Sequence, residues 1–177
     1  MENYCIHIHI GHGKGKTTSA YGAILRGLGH NLNVSCFSFL KFKKTGEMSA
    51  LTNNFKNNFS LFINDEKNYG FFFNLNDSEK EQVKKSSYIL FNKFKDVLLS
   101  KSSDIIVLDE ILDAVDLELI PHDELVDILK KNDFSEIILT GRKASKDLLS
   151  LADYVTEFNN IKHPYNHNQK ARKGIEF

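Results

Sequence analysis

The sequence has no tryptophan, only two cysteines, no net charge and no long apolar run, and each shortage narrows the reading. Lys plus Arg and Asp plus Glu number 23 each, so no general field draws the chain to nucleic acid or to acidic lipid, and neither is expected as a partner. Cys5 and Cys36 lack close metal-ligand spacing and do not make a disulfide framework; they read as buried thiols of a reducing cytoplasm. No apolar stretch approaches the roughly 20 residues of a membrane span. The opening Met1-Glu2-Asn3-Tyr4 lacks the charged-then-apolar layout of a signal peptide, so a cytoplasmic protein is expected. Without tryptophan, much of the core must come from the 14 phenylalanines. A chain of 177 residues can bury such a core without staples. It shows no internal repeat, low-complexity block or linker, and is expected to form one domain over 1–177.

What is present is organised around Gly11-His12-Gly13-Lys14-Gly15-Lys16-Thr17-Thr18. The alternating run Cys5 to Ile10 precedes it, and a helical pattern from about Ser19 to Leu28 follows, with Tyr21, Ile24, Leu25 and Leu28 inward. Strand, glycine-rich turn and helix are the setting of a phosphate-binding loop. Glycines let backbone N–H groups converge on phosphate oxygens, and the helix N-terminus adds unpaired donors. Lys16 supplies a mobile cation, and Thr17 a hydroxyl for magnesium. The usual pattern has glycine five residues before Gly15, where this chain has Ile10, so the loop is a variant.

Further on, Val34 to Leu40 reads as a buried strand, and the β-α-β alternation implies a parallel pair. Lys41-Phe42-Lys43-Lys44 is a basic patch at that strand's end, a ligand-facing element or a solvated loop in equal measure. A short helix over 47–54 and a strand over 59–63 come next. Tyr69-Gly70-Phe71-Phe72-Phe73 is an aromatic cluster in a polar loop, either a core plug or a ligand-facing wall. If it is extended, Phe71 and Phe73 share one side and Phe72 turns away. Ser78 and Glu81 fit a capping box for a helix to about Ser100, with Val83, Leu90, Phe91, Phe94, Val97 and Leu98 inward. Asp104 to Glu110 contains four consecutive apolar residues, the mark of a strand covered on both faces. It ends in Asp109-Glu110, as a Walker B segment does. Pro121 starts a helix, strands follow over 136–140 and 154–158, and Ser145 caps a helix over 146–151. His163 and His167 have helical metal-ligand spacing, but Pro164 opposes a helix there. His7 and His9 share a strand face and read as packed or paired histidines.

With these segments in order, the sequence resembles the ATP:corrinoid adenosyltransferases of the cob(I)yrinic acid a,c-diamide type. The likeness covers nearly the whole chain. Its anchors are Gly11 to Thr18, Phe39-Leu40-Lys41, Val107-Leu108-Asp109-Glu110, Thr140-Gly141-Arg142, Leu151-Ala152-Asp153 and the tail from Lys162 to Phe177. The resemblance implies an α/β, RecA-like P-loop fold in three layers with a mostly parallel sheet of about six strands. It implies a homodimer, ATP, Mg2+ or Mn2+, and a corrinoid substrate such as cob(I)alamin, with a flavoprotein as reductant. By the same resemblance Gly11 to Thr18 and Arg26 bind ATP, Lys16 stabilises departing triphosphate, and Thr17 and Glu110 hold the metal with Asp109 behind them. Phe71 and Phe73 face the corrinoid. The chain departs from the family pattern at His12 (usually Asn), Phe42 (usually Gly) and Phe73 (usually Trp). The residues alone also admit a P-loop ATPase or kinase, in which Glu110 would activate water or position an acceptor.

Overall fold

The structure, a computed structural model, describes residues 4–41, 43–64, 72–162, 164 and 171–175, apart from the Phe73 side chain. Its strands are β1 (Ile6–Ile10), β2 (Val34–Ser38), β3 (Phe59–Ile63), β4 (Ile105–Asp109), β5 (Glu136–Thr140) and β6 (Tyr154–Glu157). The helices are α1 (Lys16–Gly29), α2 (Gly46–Asn54), α3 (Asp77–Leu99), α4 (Ile111–Asp116), α5 (His122–Leu129) and α6 (Lys146–Leu151). The six strands form one sheet in the order β3-β2-β4-β5-β1-β6, every neighbouring pair parallel. A single strand, β5, therefore separates the loop strand β1 from the acid-ended strand β4.

Alternation along the strands sorts the core into two layers of side chains. Ile105 and Val107 of β4, with Val34, Cys36 and Ile138, pack against Ala20, Tyr21, Ile24 and Leu28 of α1 and Met48 and Leu51 of α2. Ile106 and Leu108, with Ile8, Phe37, Ile137 and Leu139, pack against α3 to α6, including Phe91, Phe94, Ile111, Leu125 and Leu148. Both faces of β4 are thus covered, which is why its four apolar residues need no polar alternation. The outcome is the expected three-layer α/β fold. Among the described residues no helix is long and apolar enough to cross a membrane.

Several boundaries and faces differ from expectation. Asn76, not Ser78, caps α3: its Oδ1 accepts from Glu79 N at 3.0 Å, and Glu79 Oε2 accepts from Asn76 N at 2.9 Å. The sequence holds two overlapping boxes, and asparagine caps as well as serine, so the earlier start adds two residues to the helix. Leu25 lies outside the buried arc of α1 and is 54% exposed. Cys36 is buried and Cys5 only half-buried. Helix α4, which has too few residues for a readable period, had no counterpart in the sequence reading. Ser145 does cap α6, accepting from Leu148 N at 3.3 Å. The two strand-face histidines are engaged as expected: His7 contacts Glu136 and stacks on Tyr154, and His9 packs against Phe158. Phe71, His163 and His167 lie outside the described residues. The backbone at 72–74 is a 3-10 turn rather than extended chain, and half-buried Phe72 packs on the α3-side core.

Candidate active site at the carboxyl edge of the sheet

Parallel register brings the strand ends to one edge. Ser38 pairs with Asp109, His9 with Thr140, and Ile10 with Glu157. The loop leaves β1 there and is pressed against the chain just after β6: Gly13 N donates to the Phe158 carbonyl at 2.6 Å. A Cβ on Gly11, whose φ is +108°, would stand 2.3 Å from that carbonyl oxygen, so close approach as well as backbone conformation demands glycine. Gly11 N donates to the Arg142 carbonyl at 3.0 Å, fastening the loop to the end of β5.

Lys16 begins α1, and its ammonium curls back over the loop, donating to the carbonyls of Gly11 (2.6 Å) and Gly13 (2.9 Å). Burial draws that ammonium below its usual value, with Asp113 pulling in the other direction. Thr17 faces β4: its hydroxyl donates to Asp109 Oδ1 at 2.9 Å. The same oxygen accepts from Thr140 Oγ1 at 2.8 Å, and Thr140 Oγ1 in turn accepts from Glu110 N at 2.8 Å. Asp109 Oδ2 accepts from Lys41 Nζ at 2.5 Å, and Lys41 also donates to Thr17 Oγ1 at 3.1 Å. Asp109 is fully buried, and these three side-chain donors compensate its charge.

Glu110 sits where β4 turns into α4, in the left-handed region at φ 62°. For a residue with a side chain this costs about 1–3 kcal/mol, a strain typical of functional turns. Its carboxylate lies 4.0 Å from Lys41 Nζ. Burial pushes the Glu110 carboxyl up to about 7, against the pull of Lys41. One turn on, Asp113 is likewise raised by burial, while its Oδ1 accepts from Arg142 N at 3.3 Å.

Of the sequence candidates, Gly11, Gly13, Gly15, Lys16, Thr17, Asp109 and Glu110 therefore meet at one edge. His12, Lys14 and Thr18 belong to the loop but are exposed; the His12 carbonyl accepts from Asn160, and Lys14 reaches the Ile175 carbonyl at 3.2 Å, so the tail returns to the loop. Arg26 is not brought in. It is exposed in the last turn of α1, about 15 Å along the axis from Lys16, because ten residues of helix carry it away. The basic patch divides: Lys41 belongs to the site, whereas Lys43 and Lys44 are exposed. Sequence reasoning assigned no role to Thr140 or Asp113. Thr140 stands in the anchor Thr140-Gly141-Arg142 and ends β5, and Asp113 is signalled by its three-residue step from Glu110.

The oxygens of Thr17, Asp109 and Glu110 suit a hard divalent cation, and an ammonium group already lies among them. Among the described residues no cluster of three or more His, Cys, Asp or Glu could hold a metal by itself. A cation there would complete its shell with oxygens from water or a bound phosphate.

A parallel six-stranded sheet, a glycine loop running into a helix and an acid-ended strand one strand away together define a P-loop nucleotide-binding protein. Residues 2–177 match the family described as ATP:corrinoid adenosyltransferase BtuR/CobO/CobP, and the chain belongs to it, an enzyme of the alkyl-transferase kind. It is 31% identical over 179 residues to a corrinoid adenosyltransferase of Sinorhizobium sp, spanning 99% of this chain and 81% of that one. It is 29% identical over 177 residues to the Escherichia coli K12 corrinoid adenosyltransferase, spanning 99% of this chain and 87% of that one. Among solved structures, the flagellar accessory protein FlaH of Methanocaldococcus jannaschii shares the fold. Its TM-score is 0.53 at 14% identity, over 86% of this chain and 69% of that one.

Proposed function

We propose that the chain transfers the 5′-deoxyadenosyl group of ATP to the Co(I) centre of a reduced corrinoid, cob(I)alamin or a cob(I)yrinic acid a,c-diamide precursor, releasing triphosphate. Family membership supports the two substrates. The observation that carries the reading is the convergence of Lys16, Thr17, Asp109 and Glu110 on one strand edge. In the reaction the Co(I) electron pair forms the cobalt–carbon bond, the C5′–O bond breaks, and its electron pair leaves with triphosphate. The nucleophile carries no proton, so no general base is required. The protein's task is to align three atoms and to stabilise charge on the leaving group.

Lys16 and the loop amides perform the second task. Thr17 and Glu110 would hold Mg2+ or Mn2+, with Asp109 orienting Thr17 by its hydrogen bond; a divalent ion held there would neutralise triphosphate charge. Glu110→Gln should therefore lose activity in a way that excess Mn2+ partly restores, and a defect indifferent to metal concentration would assign Glu110 another role. By family resemblance we assign Phe71 and Phe73 to the lower face of the corrinoid, where they would help displace the axial ligand before a flavoprotein reductant delivers the electron. The working unit is a homodimer of single-domain chains.

The direct test mixes protein, ATP, Mg2+ and chemically reduced corrinoid, then follows the corrinoid spectrum and the phosphate product. The adenosyl spectrum with stoichiometric triphosphate is expected; ADP without a spectral change would instead mark an ATPase or kinase.

A further inference from the structure

Lys41 stands beside the oxygens that a divalent ion would use. Its ammonium contacts Asp109 Oδ2 at 2.5 Å and Thr17 Oγ1 at 3.1 Å, and lies 4.0 Å from Glu110 Oε1. These are the oxygens assigned above to the divalent ion or its support. A Mg2+ ion binds hard oxygens at about 2.1 Å, so an ion on Thr17 Oγ1 would lie within about 5 Å of the ammonium, and the two cations would repel each other and compete for the same oxygens. The position is built rather than incidental. Lys41 lies three residues past the end of β2, β2 pairs in register with β4, and the Lys41 side chain is only 22% exposed. Asp109 has no exposure at all, so some positive group must accompany its charge.

We propose that Lys41 is a resident cation of the metal site, a positioning residue that holds Thr17, Asp109 and Glu110 in the metal-free protein and must be displaced when the divalent ion enters. This rests on the metal-site reading given above. Its consequence is ordered assembly. Metal alone binds weakly, because it must turn out an ion pair and leave an ammonium without a partner. Metal arriving with a polyphosphate binds well, because the released ammonium finds phosphate oxygens nearby. Coupling of this kind usually changes affinity five- to 150-fold, roughly.

The test reads Mn2+ binding, by electron paramagnetic resonance of the free ion, to nucleotide-free wild type, Lys41→Met and Lys41→Arg. Lys41→Met should bind Mn2+ roughly tenfold more tightly than wild type, with Lys41→Arg staying weak. Equal affinity in wild type and Lys41→Met, or equal tightening in both variants, would overturn the proposal. If Lys41→Met does not fold, 15N-lysine-labelled wild type decides. The Lys41 ammonium resonance, identified by its loss in Lys41→Arg, should move when Mg2+ and ATP are added together; an unmoved resonance with Mg2+ bound overturns the displacement. Wild type binding no Mn2+ even with ATP would remove the metal site itself, and this proposal with it, whereas binding with ATP but no Lys41 effect would remove the proposal alone.

Discussion

At the residue scale the site is a set of charges whose partners change as a reaction proceeds. In the reaction proposed above, Lys16 would meet more negative charge as triphosphate departs than in bound ATP, so its effect should belong to the transition state. Lys16→Ala should cost roughly 3 kcal/mol, about a hundredfold in turnover. Saturating kinetics check this: wild-type turnover with only ATP affinity lowered would place the role of Lys16 in ground-state binding. Phe73 poses a different choice. As a corrinoid-facing residue, Phe73→Ala should keep its melting temperature and lose transfer chiefly when Co(II) and a mild reductant are supplied, with prepared Co(I) restoring much of the loss. As a core residue it should lose roughly 3–5 kcal/mol of stability, with equal losses in both assays.

At the element scale, short strands deliver the chemistry and helix ends aim it. Each of the five-residue strands β1, β4 and β5 contributes its terminal residue or the next one to the site. The turn at Glu110 is the costliest backbone in that group, held by Thr140 below and by Ala114 N donating to the Glu110 carbonyl at 3.0 Å. The long helix α3 plays no direct part in the site but covers one face of the sheet with Val83, Leu90, Phe91 and Phe94. Its start depends on Asn76. Asn76→Ala should destabilise the protein by about 1 kcal/mol, while Ser78→Ala should be close to neutral. Urea midpoints of the two variants measure this directly, and the reverse ranking would restore Ser78 as the cap.

For the whole molecule, the packing of loop, β1 and β6 makes stability depend on pH. His9 is 8% exposed, its ring against Phe158 and 3.5 Å from the Lys16 carbonyl. Burial lowers its pKa, with the carbonyl opposing in part. The unfolded chain then takes up a proton that the folded chain refuses once pH falls below about 6.5. Stability is accordingly complete above that value and declines as pH falls towards the lower, folded value. The difference in urea midpoint between wild type and His9→Asn should shrink between about pH 7.5 and about pH 5.5. A difference constant with pH would show that His9 bears no such linkage.

The local sequence determined a large part of this. The glycines, Lys16 and Thr17 follow one another in the chain, and backbone stereochemistry with nearest-neighbour spacing makes a phosphate loop from them. The β4 strand was legible because four consecutive apolar residues have few other uses, and the β-α-β alternation carried the parallel sheet with it. What the local pattern could not settle was which residues from distant strands would meet. Lys41 looked as much like a solvated loop as a ligand-facing group, and only the register of β2 against β4 sets it on Asp109. Thr140 acquires its part because β5 lies between β4 and β1, an adjacency that no local pattern encodes. Arg26 shows the converse: the sequence places it on the loop's own helix, and the rise of that helix carries it away from the loop. Local propensity acts over a few residues, whereas a charged site buried at a sheet edge is assembled by strand order and register, which are properties of the folded chain.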